Sequence, residues 1–460
     1  MCDIVTNNYQ PSTNNYSFYF CFFMSTTLQR KIGLVQASAI NMIDMVGIGP
    51  FVVMPLVIKT TGSHLFLWAW ILGAVISLID GMIWSELGAA YPLAGGSYNF
   101  LKEAYPSKWG KLLSFLFVWQ TCIQAPLVVA SASIGFSQYL SYLVPLGDIE
   151  RKIVSASLVI LTTFLLYRKI ETIGKISVFL CSGVFITIGW IIFGGFTKGT
   201  VAYTFLPEGN ETLFSFALWA LLGQASVKTV YSYLGYYNVC HLGGEIKDPG
   251  KNIPRSIFIS IIGIAILYLF MNVSIVKVVP WQEAMESKFV VSTFIEKIYG
   301  YTAAKVATAL VLWIAFASLF AVMLGYSRVP YAAAVDGSFF KIFAKLHPTK
   351  SFPYVSLLFL GGVGLIFSLL FKLSDVISAI LAMRILVQFI AQAIGVVLLR
   401  KRKGTDQLPY KMRLYPLPVI VSIAAWLFIL FSTGYFALGG ISIAAVGLLV
   451  FVMTRKSIGR

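Results

Sequence analysis

The stretch Ala39-Ile40-Asn41-Met42-Ile43-Asp44-Met45-Val46-Gly47-Ile48-Gly49-Pro50-Phe51 decides how this chain is read. It lies in an apolar run, residues 34–60, long enough to cross a bilayer, which takes roughly 20 such residues. Gly47-Ile48-Gly49-Pro50 interrupts that run near its middle. The glycines lower the penalty for non-helical torsions, and proline removes an amide donor and clashes with the preceding turn. Non-helical backbone at mid-membrane is tolerated only against protein or a wet cavity. Its freed amides and carbonyls then become ligands for a polar solute. A packing kink is the plain alternative, since Gly and Pro are common in membrane helices.

A second interruption separates these readings. Tyr231-Ser232-Tyr233-Leu234-Gly235-Tyr236-Tyr237-Asn238 places a lone glycine among polar aromatics inside another apolar run. Counting spans along the chain makes these the first and the sixth. They are five apart and enter from opposite sides, as expected of corresponding members of two inverted repeats. The pairing favours a transport site over two unrelated kinks.

Composition supports the membrane assignment. The 460 residues are 58% hydrophobic and 12% charged, with mean hydropathy +0.83, against about 45–50% and about 25% in soluble domains. Such a chain cannot build a wettable surface, so most of its exterior faces the lipid bilayer. Apolar runs near 34–60, 65–90, 112–142, 153–167, 174–195, 213–243, 256–279, 303–327, 353–371, 374–399, 416–434 and 436–454 predict twelve spans. The net charge of +17 would suggest nucleic acid in a soluble protein. Here the basic residues sit in short loops, so no nucleic-acid partner is expected. With the N-terminus inside, 23 of the 35 Lys and Arg fall on the cytoplasmic side and 9 outside. That asymmetry puts both termini in the cytoplasm of a plasma- or inner-membrane protein. Residues 1–23 lack the basic region and cleavage site of a signal peptide, and Met24 is the expected true start.

Several chemistries are excluded or disfavoured. His64, His241 and His347 are too scattered for a metal site, and Cys2, Cys21, Cys122, Cys181 and Cys240 show no metal spacing. No phosphate-cradling loop is present, so no cofactor is expected and an ion gradient, proton or sodium, is the remaining energy source. No catalytic constellation marks an enzyme. Four ionisable residues lie deep in spans: Asp44, Asp80, Lys228 and Arg384. Such residues are functional hypotheses by default. Lys228, one turn before the second break, is read as a coupling or gating group with Asp80 or Asp44 as partner. Static ion pairs that lock packing are the plainer alternative. Glu86, Glu245 and Asp336, at cytoplasmic span ends, read as solvated helix caps, or else as contacts shutting an inner gate.

Four stretches in order resemble the amino acid–polyamine–organocation superfamily of permeases. They are Gly47-Ile48-Gly49-Pro50-Phe51, Ser85 to Tyr98 with Leu101 to Tyr105, Tyr231 to Asn238 with Glu245 to Pro249 and Asn252 to Arg255, and Ser327 to Gly337. The resemblance implies an all-α membrane protein of about twelve transmembrane helices. Its core would be a 5+5 inverted repeat with discontinuous helices 1 and 6, joined by two peripheral helices. The divisions expected are an arm at 1–33, repeats at 34–195 and 213–400, a basic loop at 401–415, two helices at 416–454 and a tail at 455–460.

In such relatives the first break binds the substrate carboxylate, here Gly47, Ile48 and Gly49 beside Pro50. The second accepts from the amino group, here Tyr231, Ser232 and Tyr233 beside Gly235, and Tyr236 stands at the position of an aromatic gate. Half-helix dipoles fit both roles. Departures matter: Ile48 replaces a small hydroxyl residue, Pro50 deletes an amide, and Leu234 stands where many relatives have Asp. An apolar site favours neutral or hydrophobic amino acids moved by alternating access. Asp44 favours the alternative, a polyamine or cationic amino acid, and a non-transporting amino-acid sensor is a third reading. The loop 144–150 has no cysteine, so no disulfide-linked accessory subunit is expected.

Overall fold

The computed structural model describes residues 28–62, 65–202, 215–371, 380, 383–404 and 408–458, with side chains to residue 453. The start expected at Met24 and the first part of span 10 fall outside them. Every one of the twelve expected spans has a helix within its range. Span 1 is two helices, α1 (Leu34–Met45) and α2 (Gly49–Thr61), bent 46° at the break. Spans 2 to 5 are α3 (Phe66–Ala90), α5 (Ser107–Leu140), α6 (Asp148–Leu166) and α7 (Ile170–Lys198), with a short α4 (Ser97–Ala104) between the first two. Span 6 is α8 (Phe216–Tyr233) followed by α9 (Asn238–His241).

The second half continues with α10 (Pro249–Val276), then two short helices absent from the sequence reading, α11 (Trp281–Ala284) and α12 (Val290–Tyr299). Their stretch is too short to span, but Val290, Val291, Phe294 and Ile295 give α12 a one-sided apolar face that the bundle buries. Next come α13 (Tyr301–Tyr326), α14 (Arg328–Val335) and α15 (Tyr354–Leu370). A π-helical turn at Ile385–Ile390 leads into α16 (Ala391–Lys403), and α17 (Leu417–Ser432) and α18 (Phe436–Ile458) complete the chain. Six described helices are long and apolar enough to cross a membrane singly, and the bent α1–α2 pair makes a seventh. The remainder are shorter or broken.

Local chemistry explains the ends. The fourth span starts five residues before its apolar run because the Gly147 amide donates to the Glu150 carboxylate at 2.7 Å, a cap that begins the helix in polar sequence. Asp148 and Glu150 in that first turn also suit the positive end of the helix dipole.

The break in span 1 lets the chain change neighbours. α1 packs on α7, α10 and α13, whereas α2 packs on α8. At the end of the bundle that carries Arg400 to Lys403, called the basic end below, the N-terminal arm is strapped to the segment after α9. Lys31 and Ile32 amides donate to the Glu245 carbonyl, and the Lys247 amide donates to Ile32.

Candidate functional site

The two breaks cross in contact. Gly235 has φ +120°, a conformation open to glycine, and a methyl group there would lie 2.8 Å from the Asp44 carbonyl carbon and the Met45 nitrogen. Gly47 makes a similar approach to α13, where a Cβ would meet the Ser318 hydroxyl at 2.7 Å. The Tyr268 hydroxyl of α10 lies 2.9 Å from the Met45 carbonyl and 3.2 Å from the Ser232 carbonyl, bridging the last turns of α1 and α8. The amides of Gly47, Ile48 and Gly49 make no backbone hydrogen bond among the described residues. Orphan amides at the start of a half-helix are anion ligands in waiting.

A small cavity of about 60 Å³ occupies the crossing. Asp44, Gly47, Ile48 and Gly49 line it from span 1, and Tyr231, Ser232, Leu234 and Gly235 from span 6. Ile48 packs its side chain on the backbone of α5 at Gly135, where a Cβ would meet it at 2.7 Å. Thus the residue that replaces a small hydroxyl forms an apolar wall against α5.

Other expected site residues lie elsewhere. Pro50 sits in the first turn of α2 and Tyr233 turns its hydroxyl to the Trp70 carbonyl at 3.3 Å, both away from the cavity lining. Tyr236 is buried with its hydroxyl 2.5 Å from Asp80, not in the cavity. Asp80, 1% exposed, accepts four bonds: from Tyr236, from Trp84 Nε1 at 2.9 Å, and from Trp426 Nε1 and Ser422 each at 3.0 Å. The carboxylate therefore joins the second break to α3 and α17.

The partnership expected for Lys228 is not formed. Its Nζ donates to Thr60 Oγ1 at 2.6 Å at the far end of α2, and neither Asp80 nor Asp44 lies within ion-pair distance of it among the described residues. Asp80 is saturated by its own donors, and Lys228 is on the part of α8 that faces α2 rather than the break. The reading of Glu86 and Glu245 as solvated caps is likewise corrected, whereas Asp336 stays exposed at the end of α14. Glu86 and Glu245 are fully buried. Arg400 reaches Glu86 through Nε and Nη2, each at 2.6 Å, and Arg328 grips Glu245 through Nε and Nη2, each at 3.0 Å. Asp336 takes Lys102 at 2.6 Å and the Tyr98 hydroxyl. Burial and that carboxylate push the Tyr98 phenol well above its ordinary range. These contacts tie α3 to α16, the segment after α9 to α14, and α4 to the end of α14 at the basic end.

Sequence reasoning noted Arg384 as a deep charge but did not place it at the site. It lines the cavity together with Tyr237, Tyr326, Ser131 and Ser318. Tyr237 lies within the second break, but Tyr326, Ser131 and Ser318 carry no sequence signal for the site, being ordinary residues on apolar spans. The π-helical turn that begins just after Arg384 could not be read either.

A multi-pass helical membrane protein whose two broken spans cross around a small cavity has the architecture of an inverted-repeat carrier. Residues 32–454 match the amino acid permease family, and the chain belongs to it. It is a permease and not an enzyme. The serine/threonine exchanger SteT of Bacillus subtilis is 26% identical over 411 residues, covering 88% of this chain and 91% of its own length. The mouse Asc-type amino acid transporter 1 is 27% identical over 419 residues, covering 88% and 76%. The human large neutral amino acids transporter small subunit 2 is 28% identical over 340 residues, covering 72% and 63%.

Proposed function

We propose that this permease moves small neutral L-amino acids across the cell membrane by alternating access, with the basic end in the cytoplasm. The observation that carries the reading is the cavity where the two breaks cross. At about 60 Å³ it has the room of roughly four waters at ~15 Å³ each, which suits a small zwitterion better than a bulky side chain. Free amides at Gly47 to Gly49 suit its carboxylate, and the half-helix end at Ser232 to Leu234 suits its amino group. A second cavity of about 940 Å³ lies between α2, the end of α5 and Met285 to Phe289. With the basic end latched by Glu86–Arg400 and Glu245–Arg328, this arrangement fits a carrier closed inward and approachable from outside. Relatives named as serine/threonine and neutral amino-acid carriers support the same class.

The polyamine alternative rests on Asp44, but Arg384 lines the same cavity, and a cation at a site with a fixed guanidinium meets repulsion. Coupling is proposed to run on a proton or sodium gradient, or on exchange against an internal amino acid. The test is proteoliposome uptake of radiolabelled L-serine, L-alanine, L-leucine, L-phenylalanine, L-arginine and putrescine, with proton and sodium gradients imposed separately. Uptake of serine or alanine above that of arginine and putrescine is expected. Uptake of putrescine alone would refute the reading.

A further inference from the structure

Arg384 carries the next inference, which rests on the transport reading above. The side chain is 5% exposed and lines the cavity at the crossing of the breaks. Its two terminal nitrogens are held by the hydroxyls of Tyr237 and Tyr326, whose rings also lie 5.7 and 5.0 Å from the guanidinium carbon. Nε has no hydrogen-bond partner. No carboxylate lies within ion-pair distance of it among the described residues; Asp44 lines the same cavity without closing on it. A buried cation held only by neutral hydroxyls is an incomplete site, because burial removes its water and no anion replaces it.

The opposite half of the cavity receives no side-chain donor from span 1. Ile48 brings no hydroxyl, so span 1 offers only the backbone amides of Gly47, Ile48 and Gly49 to an anion. We infer that Arg384 is a second carboxylate anchor: the guanidinium and the Gly47–Gly49 amides share one substrate carboxylate, and Asp44 faces the ammonium. The cavity's two charges then match a zwitterion and mismatch both a polyamine and an amino acid whose carboxyl is blocked. Tyr237 and Tyr326 are positioning residues, since they hold the guanidinium by its ends and their rings flank it. The π-helical turn at Ile385–Ile390 bears on the same point. Such turns shift the register of a helix at functional positions, and this one starts at the residue after Arg384.

The test compares L-serine with L-serinamide, which keeps the ammonium and side chain but has no carboxylate. In proteoliposomes, wild-type protein should prefer L-serine, as a competitor of radiolabelled L-serine uptake, by at least about tenfold, the scale of one charge-assisted bond. R384Q should weaken L-serine about tenfold or more while moving L-serinamide less than about twofold, so that the preference collapses. R384K, which keeps the charge but not the fork held by two tyrosines, should fall between. R384Q with the wild-type preference intact overturns the anchor. If R384Q does not fold, wild-type protein decides alone, because equal competition by L-serinamide and L-serine also overturns it. Either result leaves amino-acid uptake standing. Absence of uptake for the whole amino-acid panel is a different failure, which removes the transport reading and the anchor together.

Discussion

Arg400 and Glu86 form a buried two-point pair, with Nε and Nη2 each 2.6 Å from a different carboxylate oxygen, and the Met412 amide donates to the second of those oxygens at 2.7 Å. Three parts of the basic end meet there: the end of α3, the end of α16 and the loop before α17. Removing one member of such a pair leaves an uncompensated buried charge, which typically costs about 3–5 kcal/mol. Replacing Glu86 by Gln keeps the shape and removes the charge. E86Q is expected to lower the thermal unfolding midpoint in detergent by several degrees, and R400K by less. Unchanged midpoints in both would show that the pair carries none of the closure.

Gly235 makes a sharper demand. Its positive φ and the 2.8 Å approach to the Asp44–Met45 peptide leave no room for a methyl group. A strained left-handed residue costs on the order of 1–3 kcal/mol before any clash. G235A is therefore expected to abolish most uptake, by about tenfold or more, while the spans still insert and the protein reaches the membrane. Uptake normalised to surface expression is the measurement, and near-normal uptake would refute the crossing geometry.

Asp80 and Tyr236 predict an ordered pair of phenotypes. The four donors around Asp80 need an acceptor with four lone-pair sites. Asparagine offers one oxygen and turns an NH₂ toward donors, so D80N strands donors at about 1–3 kcal/mol each. Y236F removes only one donor and should cost about 1 kcal/mol. D80N should thus lower stability more than Y236F, by differential scanning fluorimetry. The reverse order would mean that the hydroxyl of Tyr236, not the carboxylate, organises this joint.

Lys228 is tied to Thr60 and not to a carboxylate. K228M therefore breaks one hydrogen bond between α2 and α8, worth roughly 0.5–1.5 kcal/mol, and leaves the charges of the cavity untouched. Gradient-driven uptake of L-serine by K228M should stay within about twofold of wild type. Loss of gradient dependence with facilitated exchange retained would return Lys228 to a coupling role.

Much of the architecture was legible because lipid imposes simple rules on sequence. A span must be apolar over its length and hydrogen-bonded within itself, so runs such as 65–90 and 303–327 read directly, and Gly47 to Pro50 stands out as a fault. Helix ends were less legible where capping overrode hydropathy, as at Gly147 and Glu150. The helix Val290–Tyr299 escaped because a span-length window averages away a ten-residue amphipathic face. The fates of Glu86 and Glu245 were misread for a related reason. Polar residues at a span end are caps when water reaches them and latches when it does not, and only their partners, 314 and 83 residues away in sequence, decide which.

By itself, then, the sequence determined the helical membrane fold, its two faults and the family signature, because hydropathy and Gly–Pro chemistry act locally along the chain. The tertiary structure decided the charges. It put Asp80 among four donors, tied Lys228 to Thr60, paired Glu86 with Arg400, and set Arg384 beside Asp44 in the cavity at the breaks. A charge in a low-dielectric interior takes its meaning from the groups folding brings within a few ångströms, and that neighbourhood is not written in sequence order.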